Sequence, residues 1–363
     1  MYTKHKLFGA IFNIFSKSSV NNNQITFVLD DNGSFKGNLE FIKNELSKRG
    51  SFNYYYFNKN KPTVSSLSKL AKSKYIFLND NLLAMAFMNF NKDTIITQLW
   101  HAPGAFKKFG ASSSESQEEI ATIKKANEKI DYLISSCDNI SPYYEDAFKV
   151  DKSKIKSLGT PRIDYYFQNH DLNKLRNYFD SKFPQAKGKK IILYAPTFRE
   201  IEANNDVFNF LDLKKFNERL GQDYILALRL HPKVKKFFGD EIDSCENFIN
   251  VTDWENEQEL LLLSDILITD YSSIMIEFAI LNKPILFFAY DLDSYLNSER
   301  GFYFDFNENV PGKIVYSDDE LIKAIEEEDF EKQKISGFLE TQFNEIDGNA
   351  SKRIVDFILN NEG

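Results

Sequence analysis

Short apolar runs alternate with helically spaced segments along almost the whole chain, and this alternation leaves few folds open. Residues 24–30, 52–57, 74–79, 94–99, 132–135 and 155–158 predict short buried strands. Residues 38–48, 64–72, 114–126 and 141–148 carry helical spacing between them, with Gly37 and Gly50 bracketing the first helix. The runs are too uniformly apolar for half-exposed antiparallel strands. Strand–helix alternation of this kind makes a parallel sheet covered on both faces. The polar, Lys-rich stretch 168–190, with Pro184 and Gly188, predicts a crossover between domains. A second series follows, with strands at 190–195, 224–230, 248–251, 266–269 and 284–289 and helices at 211–220, 257–263, 273–281 and 319–327. The apolar spacing of 353–359 predicts a last helix docked onto one of the domains. The expected architecture is α/β: two doubly wound, Rossmann-like domains, 1–175 and 176–363, facing a cleft. Ligands of such sheets sit beyond the carboxyl ends of the strands.

Composition removes several function classes. The 363 residues are 42% hydrophobic and 27% charged, which excludes a disordered tail protein and a disulfide miniprotein. The net charge of −8 argues against nucleic acid as a partner. Cys137 and Cys245 form no CxxC and read as free thiols of a reducing compartment. No stretch reaches the ~18 apolar residues of a membrane span, and no small-residue cleavage site follows the apolar segment 7–15. Leu7, Phe8, Ile11, Phe12, Ile14 and Phe15 cluster on one side of a helix flanked by Lys4, Lys6 and Lys17. Such a helix lies in a membrane interface or packs on the protein's own surface; the sequence leaves both open.

Missing motifs narrow the chemistry. There is no GxxxxGK[ST], no GxGxxG after the first strand, no HExxH and no Cys/His cluster of zinc spacing. Asp291 and Asp293 form an Asp-x-Asp, a pair common by chance.

Four clusters stand at strand ends. The first is Trp100-His101-Ala102-Pro103-Gly104, followed by Lys107, Lys108 and Gly110. A His just beyond a strand titrates near neutrality and can take a proton from an attacking hydroxyl, while Lys107 and Lys108 suit an anionic partner. A structural His capping the strand end is the plain alternative. The second is Leu228-Arg229-Leu230-His231-Pro232, whose Arg229 and His231 suit a phosphate. The third is Thr269-Asp270-Tyr271-Ser272-Ser273, a strand feeding through Asp270 into a helix that opens with two hydroxyls. Helix N-termini favour phosphate, although most such Ser residues are simple caps. The fourth is Tyr194-Ala195-Pro196-Thr197-Phe198-Arg199, and further on Arg300-Gly301-Phe302 forms an aromatic loop with one Arg.

Taken in order, these motifs resemble the CDP-glycerol glycerophosphotransferase family, whose enzymes build teichoic acids and related capsule polymers. The resemblance covers roughly residues 95–310. It implies a GT-B type fold with the nucleotide in the second domain. It implies a CDP-activated polyol as donor, CDP-glycerol first among them, and transfer of a polyol phosphate to a lipid-linked saccharide hydroxyl with release of CMP. Position by position, His101 matches the general base. His231, Ser272 and Ser273 match positions around the donor pyrophosphate, with Arg229, Arg199, Thr197 and Arg300 adding donors. Asp270 orients these groups or meets the acceptor, and Lys107 and Lys108 fall to the acceptor side. No metal and no cofactor are required in this scheme. A lipid-linked acceptor places the enzyme in the cytoplasm, peripheral on the inner face of the membrane. Ala102-Pro103-Gly104 stands where long polymerases often have Gly-Thr-Pro after the His, which looks like the glycerol-phosphate primase branch; the modest length agrees. A ribitol-phosphate or polymerising enzyme is the alternative within the family. Outside it stand a nucleotide-sugar glycosyltransferase and an inactive membrane adaptor. The oligomeric state is not legible.

Overall fold

The computed structural model describes residues 2–30, 33–199, 209–230, 246–298 and 301–361. The chain forms two compact units, 1–167 with 341–363, and 168–340.

In the first unit, β1 (Asn21–Val28), β2 (Asn53–Phe57), β3 (Ser73–Leu78), β4 (Ile95–Gln98), β5 (Tyr132–Ser135) and β6 (Ile155–Ser157) form one sheet in the order β2-β1-β3-β4-β5-β6. Every pairing is parallel. Side chains alternate between two cores, as a sheet covered on both faces demands. In β3, Tyr75 and Phe77 pack with helix α2 (Asn38–Leu46) and with the last helix, Ala350–Asn360. Ile76 and Leu78 pack on the opposite face, with helices α1 (Thr3–Phe15) and α3 (Val64–Ala71). Helix α3 opens on a capping box in which Thr63 and Ser66 satisfy each other's backbone N–H. Helices α4 (Gln117–Asn127) and α5 (Ser141–Phe148) complete the cover. The last helix is capped by Asp164, whose carboxylate accepts the N–H of Ala350 at 3.0 Å and of Ser351 at 2.8 Å.

Helix α1 packs one side on the core of the first unit. Phe12 is fully buried, and Phe8, Ile11 and Phe15 pack against the same core. A Cβ at Gly9 would lie 2.4 Å from the Phe87 carbonyl, so glycine permits the close approach. Leu7 and Ile14 stay on the outer side, 58% and 69% exposed.

The second unit repeats the plan. β7 (Lys190–Ala195), β8 (Tyr224–Leu228), β9 (Phe248–Asn250), β10 (Ile266–Thr269), β11 (Ile285–Phe288) and β12 (Lys313–Val315) form a parallel sheet in the order β12-β11-β10-β7-β8-β9. The crossover predicted at 168–190 contains helix α6 (Leu172–Lys182), which packs on the later helix Glu257–Leu263. That packing puts the change of unit at 167/168, ahead of the expected 175/176. Among the described residues no helix is long and apolar enough to cross a membrane.

Candidate functional site

Register brings the strand ends of each sheet to one edge. In the first unit Val28 lies beside Phe57 and Leu78, Leu78 beside Gln98, and Gln98 beside Leu133. The residues just past these ends therefore gather. Lys59 follows β2, Asn79-Asp80-Asn81 follows β3, and Trp100-His101 follows β4.

His101 keeps a solvent-exposed face, while surrounding protein crowds its ring. This loss of water holds the imidazole below its ordinary pKa of 6.5. Asp80 and a hydrogen bond to the Asn79 carbonyl pull it back up, and Arg162 and Lys59 push it down. Lys59 Nζ pairs with Asp80 at 2.9 Å and donates to the Asn81 carbonyl at 3.1 Å. Arg162 Nη1 donates to the His101 carbonyl at 3.4 Å. The Trp100 ring stacks on Phe109 at 5.0 Å and meets Phe148 edge-on at 5.1 Å. Gly110, at φ +57°, passes so near Ala147 that a Cβ would lie 2.4 Å from its carbonyl oxygen. Tyr144 donates to the Gly104 carbonyl at 3.0 Å, and Ala105 N–H to the buried Gln342 side chain at 3.0 Å. The loop after His101 is thus fastened from several sides. Lys107 is half-buried. Lys108 is exposed, and its charge acts on Asp146 of α5.

In the second unit Thr269 lies beside Ala195 and Phe287, and Tyr194 beside Leu228. The Asp270 carboxylate accepts the Thr197 N–H at 2.9 and 3.1 Å and the N–H of Tyr271. Arg199 Nη2 reaches the same carboxylate at 2.9 Å, and Arg199 Nε reaches Asp291 at 2.8 Å. The Tyr271 hydroxyl donates to Asp291 at 3.0 Å. The Arg199 guanidinium lies 5.0 Å from the Tyr271 ring centre and 4.9 Å from that of Tyr295. Arg199 is 2% exposed and Asp270 1%.

This network engages two of the expected site residues. Arg199 and Asp270 face each other, enclosed in protein, and hold the turns at 196–199 and 270–273 together. The Asp270 and Asp291 charges keep Arg199 far above its ordinary pKa despite the cost of burial. Arg229 is held by the segment after β9: Nη1 donates to the Trp254 carbonyl at 3.2 Å, and Nε lies 3.4 Å from Glu257. Thr197 Oγ1 is buried with no hydrogen-bond partner among the described residues. Ser272 is half-buried and Ser273 exposed. Ser273 begins the helix Ile274–Ile280 without a side-chain capping bond, which leaves its hydroxyl uncommitted to the helix. Phe302 stacks with Tyr295 at 6.0 Å. His231 and Arg300 lie outside the described residues. Among the described residues no three His, Cys, Asp or Glu side chains are grouped to hold a metal ion.

Lys59, Asp80 and Arg162 were missed in the sequence, although a signal was present. Asn79-Asp80-Asn81 is a polar triplet directly after an apolar strand, the same placement that singled out His101.

Two all-parallel, doubly wound six-stranded sheets with polar clusters past their strand ends define a Rossmann-like α/β protein of the GT-B type. The wall teichoic acid polymerase TagF has the same fold: its structure matches 99% of this chain and 93% of its own at a TM-score of 0.83 and 24% identity. The chain belongs to the CDP-glycerol:poly(glycerophosphate) glycerophosphotransferase family, which matches residues 10–360. The teichoic acid poly(ribitol-phosphate) polymerase of Bacillus spizizenii is 33% identical over 97% of this chain. The chain spans 59% of that protein's length. The teichoic acid glycerol-phosphate primase of Bacillus subtilis is 30% identical over 82% of this chain and 76% of its own.

Proposed function

We propose that the protein transfers glycerol phosphate from CDP-glycerol to a hydroxyl of a lipid-linked teichoic acid or capsule acceptor. The carrying observation is the family match over 10–360 together with an imidazole at the carboxyl edge of the first sheet. The acceptor hydroxyl oxygen attacks the β-phosphorus of the donor. Its proton passes to His101, the bond from that phosphorus to the bridging oxygen breaks, and CMP leaves with the electron pair. General-base help of this kind contributes about 10²–10⁴-fold. Burial favours the neutral, proton-accepting form of His101.

The first unit handles the acceptor and the second the donor. Thr197, Ser272 and Ser273 offer hydroxyls at the carboxyl edge of the second sheet, and His231 and Arg300 add to them by the family resemblance. Arg199 and Asp270 act as positioning residues, holding the Thr197 turn against the Ser272-Ser273 turn. Exposed Leu7 and Ile14, with Lys4, Lys6 and Lys17 nearby, support attachment to the inner face of the cell membrane.

A ribitol-phosphate reading stands second, favoured by the likeness to the poly(ribitol-phosphate) polymerase. Thermal shift with CDP-glycerol, CDP-ribitol, UDP-sugars and GDP-sugars tests the donor, since a ligand at 100 times its Kd adds about 2.7 kcal/mol. A rise with the CDP-polyols alone is expected. A rise with a UDP- or GDP-sugar alone overturns the reading.

A further inference from the structure

The backbone carrying His101 is strained, and two buried amides hold it there. Trp100 sits at φ +59°, the left-handed region that bulky residues avoid. Both polar groups of its main chain are taken by side chains. Gln98 Oε1 accepts the Trp100 N–H at 2.9 Å, and Asn38 Nδ2 donates to the Trp100 carbonyl. Gln98 is 0% exposed and Asn38 1%.

Each amide uses its other end to hold the main chain of one of the charged residues around His101. Gln98 Nε2 donates to the Asp80 carbonyl at 3.2 Å, and Asn38 Oδ1 accepts the Arg162 N–H at 2.8 Å. The strained residue and the main chains of Asp80, past β3, and Arg162, past β6, are thus tied by two side chains from β4 and the start of α2. The Trp100 ring lies 4.1 Å from the His101 ring, so the clamp on one residue places the next. Strain of this kind persists only where the surroundings over-determine it. A left-handed turn alone would be served by glycine at no steric cost.

We infer that Asn38 and Gln98 are positioning residues for the reaction, clamping the Trp100 peptide so that His101, Asp80 and Arg162 keep one geometry. The inference rests on His101 being the base. Misplacement of a catalytic group by about 1 Å can cost 10²-fold in rate.

The test uses the full chain with Asn38→Ala and, as a variant that keeps side-chain volume, Gln98→Met. Three quantities are read: thermal unfolding, kcat against KM for CDP-glycerol, and the titration of the His101 imidazole by NMR without substrate. The imidazole signal is assigned by its loss in His101→Gln. In folded variants the expected results are a fall in kcat of about tenfold or more, an unchanged KM, and a moved imidazole titration. Folded variants whose His101 signals and titration match the unsubstituted protein overturn the inference, whatever the donor proves to be. A moved titration in a protein that turns over no CDP-polyol upholds the clamp and instead refutes the proposed activity.

Discussion

Replacing Arg199 by Met separates a positioning role from direct donor contact. Arg199 bonds Asp270 at 2.9 Å and Asp291 at 2.8 and 3.0 Å, with its side chain 3% exposed and the carboxylates 1% and 13% exposed. Solvent screening is slight at such burial. Removing one partner of a buried ion pair costs about 3–5 kcal/mol, because the remaining charge stays desolvated. Here two carboxylates are stranded, and three Tyr rings, of Tyr271, Tyr290 and Tyr295, lose the cation beside them. At about 2–4 °C per kcal/mol for a unit of this size, the second unit should melt about 6–20 °C lower. Arg199→Met combined with Asp270→Asn should cost less than the sum of the two single changes, with a coupling of at least about 1 kcal/mol. Circular dichroism of the full chain measures this, and calorimetric titration with CDP-glycerol supplies the second readout. A variant melting within about 2 °C of the unsubstituted protein but losing CDP-glycerol affinity would refute the reasoning, since Arg199 would then meet the ligand itself.

The remaining expectations concern the base, the donor turn and the first helix. The acid limb of kcat/KM should lie below pH 6.5, because burial lowers the His101 pKa and activity is lost only as pH falls through that lowered value. Asp80→Asn removes a group that raises it and should move the limb to lower pH, whereas Arg162→Gln should move it to higher pH; shifts of the opposite sign would contradict the electrostatics. Replacing Ser272 and Ser273 together by Ala should weaken CDP-glycerol binding about tenfold or more, as hydrogen bonds to charged groups are worth about 1.5–3 kcal/mol; unchanged affinity removes their donor role. Leu7→Glu with Ile14→Glu should reduce liposome flotation while leaving the melting temperature in place, because both side chains are exposed. Equal flotation would end the membrane reading. Deleting residues 1–17 is a poorer test, since it also removes Phe12 from the core.

Strands buried on both faces were plain in the sequence. Tyr132–Ser135 and Ile266–Thr269 stand where their apolar runs predict them. The strand Lys313–Val315 escaped notice because it has three residues and only two of them are apolar. Helix α6 hid in a polar stretch, since Phe179 alone of its residues is buried. In α1 the residues that face the core and those that face outward are equally apolar, and packing distinguishes them, Phe12 in the core and Gly9 on Phe87. At the candidate site, His101 was legible from its place at a strand end. The partnership of Arg199 with Asp270 was not, because 71 positions separate them and both look like free charges at strand ends. Arg229 likewise alternates with Leu in sequence, yet the Trp254 carbonyl and Glu257 draw it toward the segment after β9.

The central claim is tested most directly by mass spectrometry of a synthetic lipid-linked disaccharide incubated with the protein and either CDP-glycerol or CDP-ribitol. The account predicts a product heavier by glycerol phosphate units, with one CMP released per unit and none formed by His101→Ala. A product heavier by a sugar, or equal yield from the His101 variant, would contradict it.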